Sequence, residues 1–146
     1  MTQPHDPIIV GGCLCGTVRY EVQPPTLFCA HCHCRWCRRA HGAAFVTWFG
    51  VPEERFRLTA GAEHLRWYQS SKRSRRGFCR TCGTTLLFAS TSSPGEMHIA
   101  LATADTPIDR EPALNCFVDQ KAAWWDIHDD LPALTTDSPQ LAHYRD

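Results

Sequence analysis

Seven of the chain's nine cysteines fall into three tight clusters: Cys13-Leu14-Cys15, Cys32-His33-Cys34-Arg35-Trp36-Cys37 and Cys79-Arg80-Thr81-Cys82. Each spacing is a chelating one. A tight turn between neighbouring cysteines aims both sulfurs at one ion at about 2.3 Å and leaves backbone N–H groups free to hydrogen-bond the thiolates. Gly16 and Gly83 directly follow Cys15 and Cys82, where a residue without Cβ can take the positive φ that such a knuckle often needs. The seven cysteines are therefore expected to be zinc ligands. Two separated pairs close a four-thiolate tetrahedron, a structural site. Cys32, Cys34 and Cys37 instead supply three sulfurs from one short segment, leaving a fourth position for water or a substrate thiol, as in catalytic zinc sites. Spacing alone leaves open which clusters share an ion.

Ligand type suggests the chemistry. Three thiolates donate much charge, so the ion is a poor Lewis acid for making hydroxide and is better suited to thiol chemistry. A sulfur entering the fourth position loses its proton, stays nucleophilic and can attack a small carbonyl carbon. Two rival readings use the same cysteines. Paired knuckles also occur in zinc-stabilised nucleic-acid and protein-binding modules, and the segment Ser71-Lys72-Arg73-Ser74-Arg75-Arg76 offers a basic strip. Alternatively, Cys29 and the 32–37 cluster form an exchangeable thiol set for redox work or zinc buffering.

Charge weighs against the nucleic-acid reading. The 15 basic and 15 acidic side chains cancel, and seven thiolates around two zinc ions would add about three negative charges on top. Any basic patch must be local, and no broad attraction to nucleic acid or an anionic membrane is expected. The opening stretch carries His5, Asp6 and two prolines around the short apolar run Ile8-Ile9-Val10, which is no signal-peptide core. Nothing later reaches the roughly eighteen apolar residues of a membrane span. A cytoplasmic protein is expected, and in that reducing compartment nine cysteines favour metal or redox chemistry over a disulfide framework, which would leave one thiol odd.

The elements that must position these clusters are mostly strands. Val18, Tyr20 and Val22 alternate with Thr17, Arg19 and Glu21, and Leu65 and Trp67 alternate with His64 and Arg66. Short β-prone runs occupy 45–49, 84–89 and 97–101. Gly50, Pro52, Gly61, Gly77, Gly83, the Ser92-Ser93-Pro94-Gly95 stretch and Pro107 read as turns between them. The best helix is one or two turns from Arg35 to His41, ended by Gly42. Length and composition predict one all-β domain over 1–146, with a core at about 11–134 and a polar tail that frays after about 137.

The segments GGCLCGTVRY, CHCRWCRRAHG, FCRTCGTTL and FVDQKAAWWDIHDDLP, in this order, resemble the glutathione-dependent formaldehyde-activating enzyme family, which also includes centromere protein V. The resemblance spans about 11–134. It implies a β-tent fold of small antiparallel sheets with two zinc ions: a closed site of Cys13, Cys15, Cys79 and Cys82, and an open site of Cys32, Cys34 and Cys37 that is also the catalytic one. It further implies a carbon–sulfur lyase that joins glutathione to formaldehyde as S-(hydroxymethyl)glutathione.

Other residues near the clusters have ordinary explanations beside functional ones. Cys29 is not required by the family pattern; capping the open zinc, pairing with a neighbour and simple burial are the three roles open to it. Cys116, in a strand expected at 115–118, reads as a small buried apolar side chain. Arg38 and Arg39, or Lys72, Arg73, Arg75 and Arg76, could grip glutathione's carboxylates, though charge runs usually form a solvated face. His31, His33 and His41 could serve as a proton relay or fourth ligand, but residues interleaved in a knuckle usually point away from its metal. Trp36, Trp48, Trp124 and Trp125 are read as core before pocket wall.

Overall fold

The computed structural model describes residues 7–145, so residues 1–6, most of the stretch weighed above as a targeting signal, lie outside it. The fold is mostly β, with one helix and short 3-10 turns. Three strands, β1 (Ile9–Gly12), β2 (Arg19–Val22) and β5 (Phe56–Ala60), form a small antiparallel sheet in the order β1-β2-β5. The remaining strands are β3 (Phe28–Cys32), β4 (Val46–Pro52), β6 (Leu65–Gln69), β7 (Ser74–Cys79), β8 (Thr85–Ser90), β9 (Glu96–Ala100), β10 (Asn115–Cys116) and β11 (Ala133–Leu134). They build one sheet in the order β11-β10-β3-β4-β9-β8-β7-β6. This second sheet is larger than the small sheets expected. It is antiparallel except at β10, which pairs parallel with both β3 and β11.

Alternation on the central strands creates two cores, one on each face. Cys29 of β3, Phe49 and Val51 of β4, and Met97 and Ile99 of β9 join Ile9, Val18, Tyr20 and Val22 of the small sheet. Ala30 and Cys32, Val46 and Trp48, and Ala100 face the other way, toward Phe117, Leu141 and the helix residue Cys37. A strand buried on both faces cannot show the apolar-polar alternation of a half-buried one. For this reason β4 reads VTWFGVP while the half-buried β2 reads RYEV. Burying side chains such as Phe49, Leu87 and Ile99 completely stabilises the fold by about 1.5–3 kcal/mol each before entropy is counted.

Two glycines read as turns lie instead inside strands. Gly50 is in β4 opposite Phe28 of β3, and a Cβ there would collide with the Phe28 ring. Gly77 is in β7, next to a register shift, where a Cβ would meet Leu87 Cβ at 3.1 Å. Close approach explains both, as it often does for glycine within a strand. The stretch after Asp137, expected to fray, carries one turn of 3-10 helix, Pro139–Leu141, that buries Leu141 to 4% exposure. Tyr144 then packs on Phe28 and His98. These two apolar side chains are enough to dock a segment that composition marks as polar. Among the described residues no helix is long and apolar enough to cross a membrane.

Candidate metal centres and active site

Cys13 and Cys15 lie in the turn from β1 to β2, Cys79 ends β7, and Cys82 lies in the turn to β8. Their four sulfurs lie within 4.8 Å of one another, a group that can hold a metal ion. Cys13 Sγ is 3.6 Å from Cys15 Sγ, which is 3.9 Å from Cys79 Sγ. A tetrahedron of metal–sulfur bonds near 2.3 Å has edges of about 3.8 Å, so these two separations match those of a four-thiolate zinc site. Gly16 and Gly83 take φ of 80° and 81°, as a knuckle needs.

Hydrogen bonds hold these sulfurs in place. The Val18 N–H donates to Cys13 Sγ at 3.3 Å and the Thr81 N–H to Cys79 Sγ at 3.4 Å. The Thr84 hydroxyl lies 3.2 Å from Cys82 Sγ and also accepts from the Leu14 N–H at 3.0 Å, tying one knuckle to the other. That hydroxyl is the main reason the Cys82 thiol is held down at about 5. The cluster thus fastens the small sheet to the β7–β8 hairpin.

The second cluster assembles on the other face of the large sheet. Cys32 is the last residue of β3, Cys34 caps α1 (Arg35–His41), and Cys37 is buried in the helix's first turn. The Cys37 N–H donates to Cys34 Sγ at 3.3 Å. All three sulfurs lie within 4.8 Å of one another and can likewise hold an ion. Gly42, with φ of 61°, ends the helix where expected.

Arg76, weighed above as a carboxylate grip or part of a solvated face, has a neighbour that sequence reasoning missed. It is only 7% exposed. Nη1 and Nη2 each lie 3.6 Å from Cys37 Sγ, and the guanidinium carbon sits 5.0 Å over the Phe88 ring. Among the described residues no carboxylate lies within 4 Å of it. A buried cation without a partner anion is costly, so the anionic sulfur cluster is its counterpart. Hydrogen bonds from Cys32 and Cys34, aided by the Arg76 charge, hold the Cys37 thiol well below its usual range. On β7 Arg76 faces the triad, while Cys79, three residues on, belongs to the other cluster; the run Ser74-Arg75-Arg76-Gly77-Phe78 carries no apolar-polar alternation that would mark this.

The other expected residues divide by strand face and by partner. Cys29 lies with the opposite core and is absent from both sulfur clusters, so it does not cap the triad. Burial pushes its thiol up to about 11. Cys116 is buried beside Cys32 across the β3–β10 pairing. His31 hydrogen-bonds Thr47 through Nδ1 at 2.8 Å. His33 Nε2 donates to Asn115 Oδ1 at 2.8 Å, and the Asn115 amide donates onward to Asp129 at 2.7 Å, which fastens the turn between Cys32 and Cys34. Burial against Trp48 depresses His41 to about 4, leaving it neutral and a poor proton acceptor. Arg38 is occupied by the Gln120 carbonyl at 2.9 Å, and Arg75 stacks over Trp67 at 4.1 Å.

Two hollows share Trp36, Ser70 and Arg76, and one of them reaches the triad. A groove of about 590 Å³ is lined by Arg35, Trp36, Arg39, Tyr68 and Arg76, among others. A cavity of about 320 Å³ contains the three cysteines and Arg76 and is walled by rings that include Phe28, Trp48, Phe88 and Tyr144. Trp48, expected in the core, thus also walls a pocket. Trp36, also expected in the core, is 51% exposed at the rim, and Trp124 is exposed on the surface.

A family profile described as glutathione-dependent formaldehyde-activating enzyme matches residues 8–120. The chain belongs to that family. All seven clustered cysteines of this formaldehyde-activating-enzyme family member, and Arg76, fall inside the matched region. It is 34% identical over 96 residues to an uncharacterized lyase of Schizosaccharomyces pombe, covering 61% of this chain and 63% of the yeast protein. It is also 25% identical over 127 residues to a Halomonas elongata protein provisionally named a glutathione-dependent formaldehyde-activating enzyme, covering 82% and 81% of the two chains. A crystal structure of a Rhodobacter sphaeroides protein is similar at a TM-score of 0.57 and 30% identity, covering 68% of this chain and 91% of that one.

Proposed function

We propose that this protein is a zinc-dependent carbon–sulfur lyase acting in the direction of synthesis, adding the thiol of glutathione to formaldehyde to give S-(hydroxymethyl)glutathione. The zinc ligands we assign are Cys13, Cys15, Cys79 and Cys82 at a structural site, and Cys32, Cys34 and Cys37 at the reactive one. The observation that carries the reading is Arg76 buried against Cys37. One divalent ion on three thiolates leaves a single negative charge, which one guanidinium neutralises. Bound there, zinc supplies a soft acceptor that lowers a thiol's pKa while leaving its sulfur nucleophilic.

The remaining roles fall to the chain. Arg35 and Arg39 line the groove beside the exposed Trp36 and Tyr68, where they can meet the two carboxylates of glutathione. Arg76 holds the Cys37 sulfur in its charged form and fixes its orientation. Phe28, Trp48 and Phe88 present apolar faces to the cavity side. His41, neutral and buried, does not take the thiol proton, which leaves through the groove to solvent. The family's relatives named as a lyase and as a formaldehyde-activating enzyme agree with this chemistry, and a reducing, cytoplasmic setting keeps the thiols available.

The test is adduct exchange between labelled formaldehyde and glutathione, followed by NMR with protein of known zinc content. Wild type should exceed the spontaneous rate, and Cys34→Ser should lose the excess while keeping zinc at the other site. An unchanged rate in Cys34→Ser, or a wild type with no excess, overturns the proposal.

A further inference from the structure

Formaldehyde is one carbon and one oxygen, yet the cavity that opens on Cys32, Cys34 and Cys37 holds about 320 Å³. An apolar cavity of about 150 Å³ suffices for a benzene ring. This cavity is lined mainly by carbon: Phe28, Trp48, Phe88, Phe117, Leu141 and Tyr144 contribute to its walls. Its walls are also closely built. Phe28 packs edge-on against His98, 4.9 Å between centroids, His98 stacks on Phe88 at 5.5 Å, and Trp48 leans on Phe88 at 5.9 Å. Two arginines line the cavity: Arg76, which is turned toward Cys37, and Arg145 near the C-terminal end.

The two hollows differ in chemistry and share Trp36, Ser70 and Arg76. The groove, with Arg35, Arg39 and exposed aromatics, suits a charged peptide thiol. The cavity suits it less, since its walls are mostly rings and aliphatic carbon, Arg76 is engaged with Cys37, and Arg145 is one cation for glutathione's two carboxylates. Each hollow therefore has room for one reactant, and their shared edge includes Arg76, whose guanidinium reaches Cys37 Sγ at 3.6 Å.

We propose that, beyond formaldehyde, this protein takes as electrophile an apolar aldehyde whose alkyl or aryl group fills the cavity while the carbonyl carbon faces the thiol at the triad. This rests on the thiol-addition reading above and widens its second substrate to a class that the cavity favours. The step balances without oxidant or reductant. The thiol sulfur forms a bond to the carbonyl carbon, the C=O π pair passes to oxygen, and that oxygen takes up one proton for the one the thiol released, giving a hemithioacetal.

The experiment has two parts. Binding of (4-fluorophenyl)acetaldehyde to wild type is followed by ¹⁹F NMR with no thiol present. Rates of hemithioacetal formation with glutathione are then measured for this aldehyde and for formaldehyde, each divided by its spontaneous rate. Burial of one ring predicts that the aryl aldehyde's enhancement exceeds that of formaldehyde by about tenfold to a hundredfold. Ala30→Leu, on the cavity wall two residues before Cys32, should lower that ratio at least tenfold and weaken the ¹⁹F binding. Leu134→Phe, from another strand of the same wall, should act in the same direction and guards against misfolding of the first variant. Equal enhancements, with no ¹⁹F binding, overturn this inference and leave the thiol-addition reading standing. Tight ¹⁹F binding with no acceleration of either aldehyde overturns the thiol-addition reading and this inference with it.

Discussion

Arg76 reaches back 39 positions to place both terminal nitrogens of its guanidinium 3.6 Å from Cys37 Sγ. Charge-assisted hydrogen bonds of this kind are worth about 1.5–3 kcal/mol, and here they lie under the Phe88 ring, away from water. Arg76→Gln should therefore weaken zinc at the three-cysteine site by about tenfold to a hundredfold. Competition with a chromogenic chelator reads this directly. Arg76→Lys should recover only part of the loss, because an ammonium presents a point charge where the guanidinium presents a fork. Arg75→Gln, one residue away but turned outward onto Trp67, should leave the affinity unchanged.

The two clusters should fail differently. Cys15 and Cys79 stand 64 positions apart, and their cluster joins the small sheet to the large one. A structural zinc contributes on the order of 10 kcal/mol to folding, comparable with the whole stability of a domain this size. Cys79→Ser should therefore unfold the protein, seen as loss of near-ultraviolet circular dichroism. Cys34→Ser removes one ligand at a helix cap and should keep the folded signal while losing one equivalent of zinc. A Cys79→Ser protein with wild-type melting would overturn this division.

The clustering of the candidate site was legible because the cysteines of each knuckle lie at short spacings. The knuckles, Gly16 and Gly83, and the helix from Arg35 to Gly42 are set by residues within a few positions of one another. Half-buried strands of the small sheet, such as β2, announce themselves by alternation. Arg76 did not, because its charge is matched by a sulfur in a distant segment and becomes visible only once β7 is seated in the sheet. Gly50 and Gly77 were misread for a related reason: the bulk that excludes a side chain at each belongs to Phe28 and Leu87, on neighbouring strands. The docking of Leu141 and Tyr144 over the cavity likewise depends on a surface that exists only in the folded sheet.

Cys29 tests the geometry of β3. It precedes Cys32 by three positions, an odd separation, so the two side chains leave opposite faces of the strand. Cys29 is 2% exposed among core residues. Cys29→Ala should leave two zinc ions per chain and the same number of sulfurs around each, as counted by X-ray absorption at the zinc edge. The expected cost is a modest loss of stability, about 1 kcal/mol, from the missing buried sulfur. A fall in the sulfur count would mean that β3 twists Cys29 onto the metal face.

Tyr20 gives the fold an alkaline limit that is separate from the metal. The Thr103 hydroxyl donates to the Ala100 carbonyl at 2.7 Å, so the phenol O–H donates to Thr103 Oγ1 at 2.9 Å. Burial pushes the Tyr20 pKa from 10.0 to about 12. The folded value lies above the unfolded one, so the stabilisation is fully present below pH 10 and is lost as pH rises through about 12, amounting to about 2–3 kcal/mol. Tyr20→Phe should cost about 1 kcal/mol at neutral pH for the missing hydrogen bond. Between pH 10 and 12 the variant should lose less stability than wild type, so the difference between the two narrows and then reverses. Denaturant midpoints of both proteins at pH 8 and pH 11.5 check the sign, and a gap that stays constant would show that the phenol does not control it.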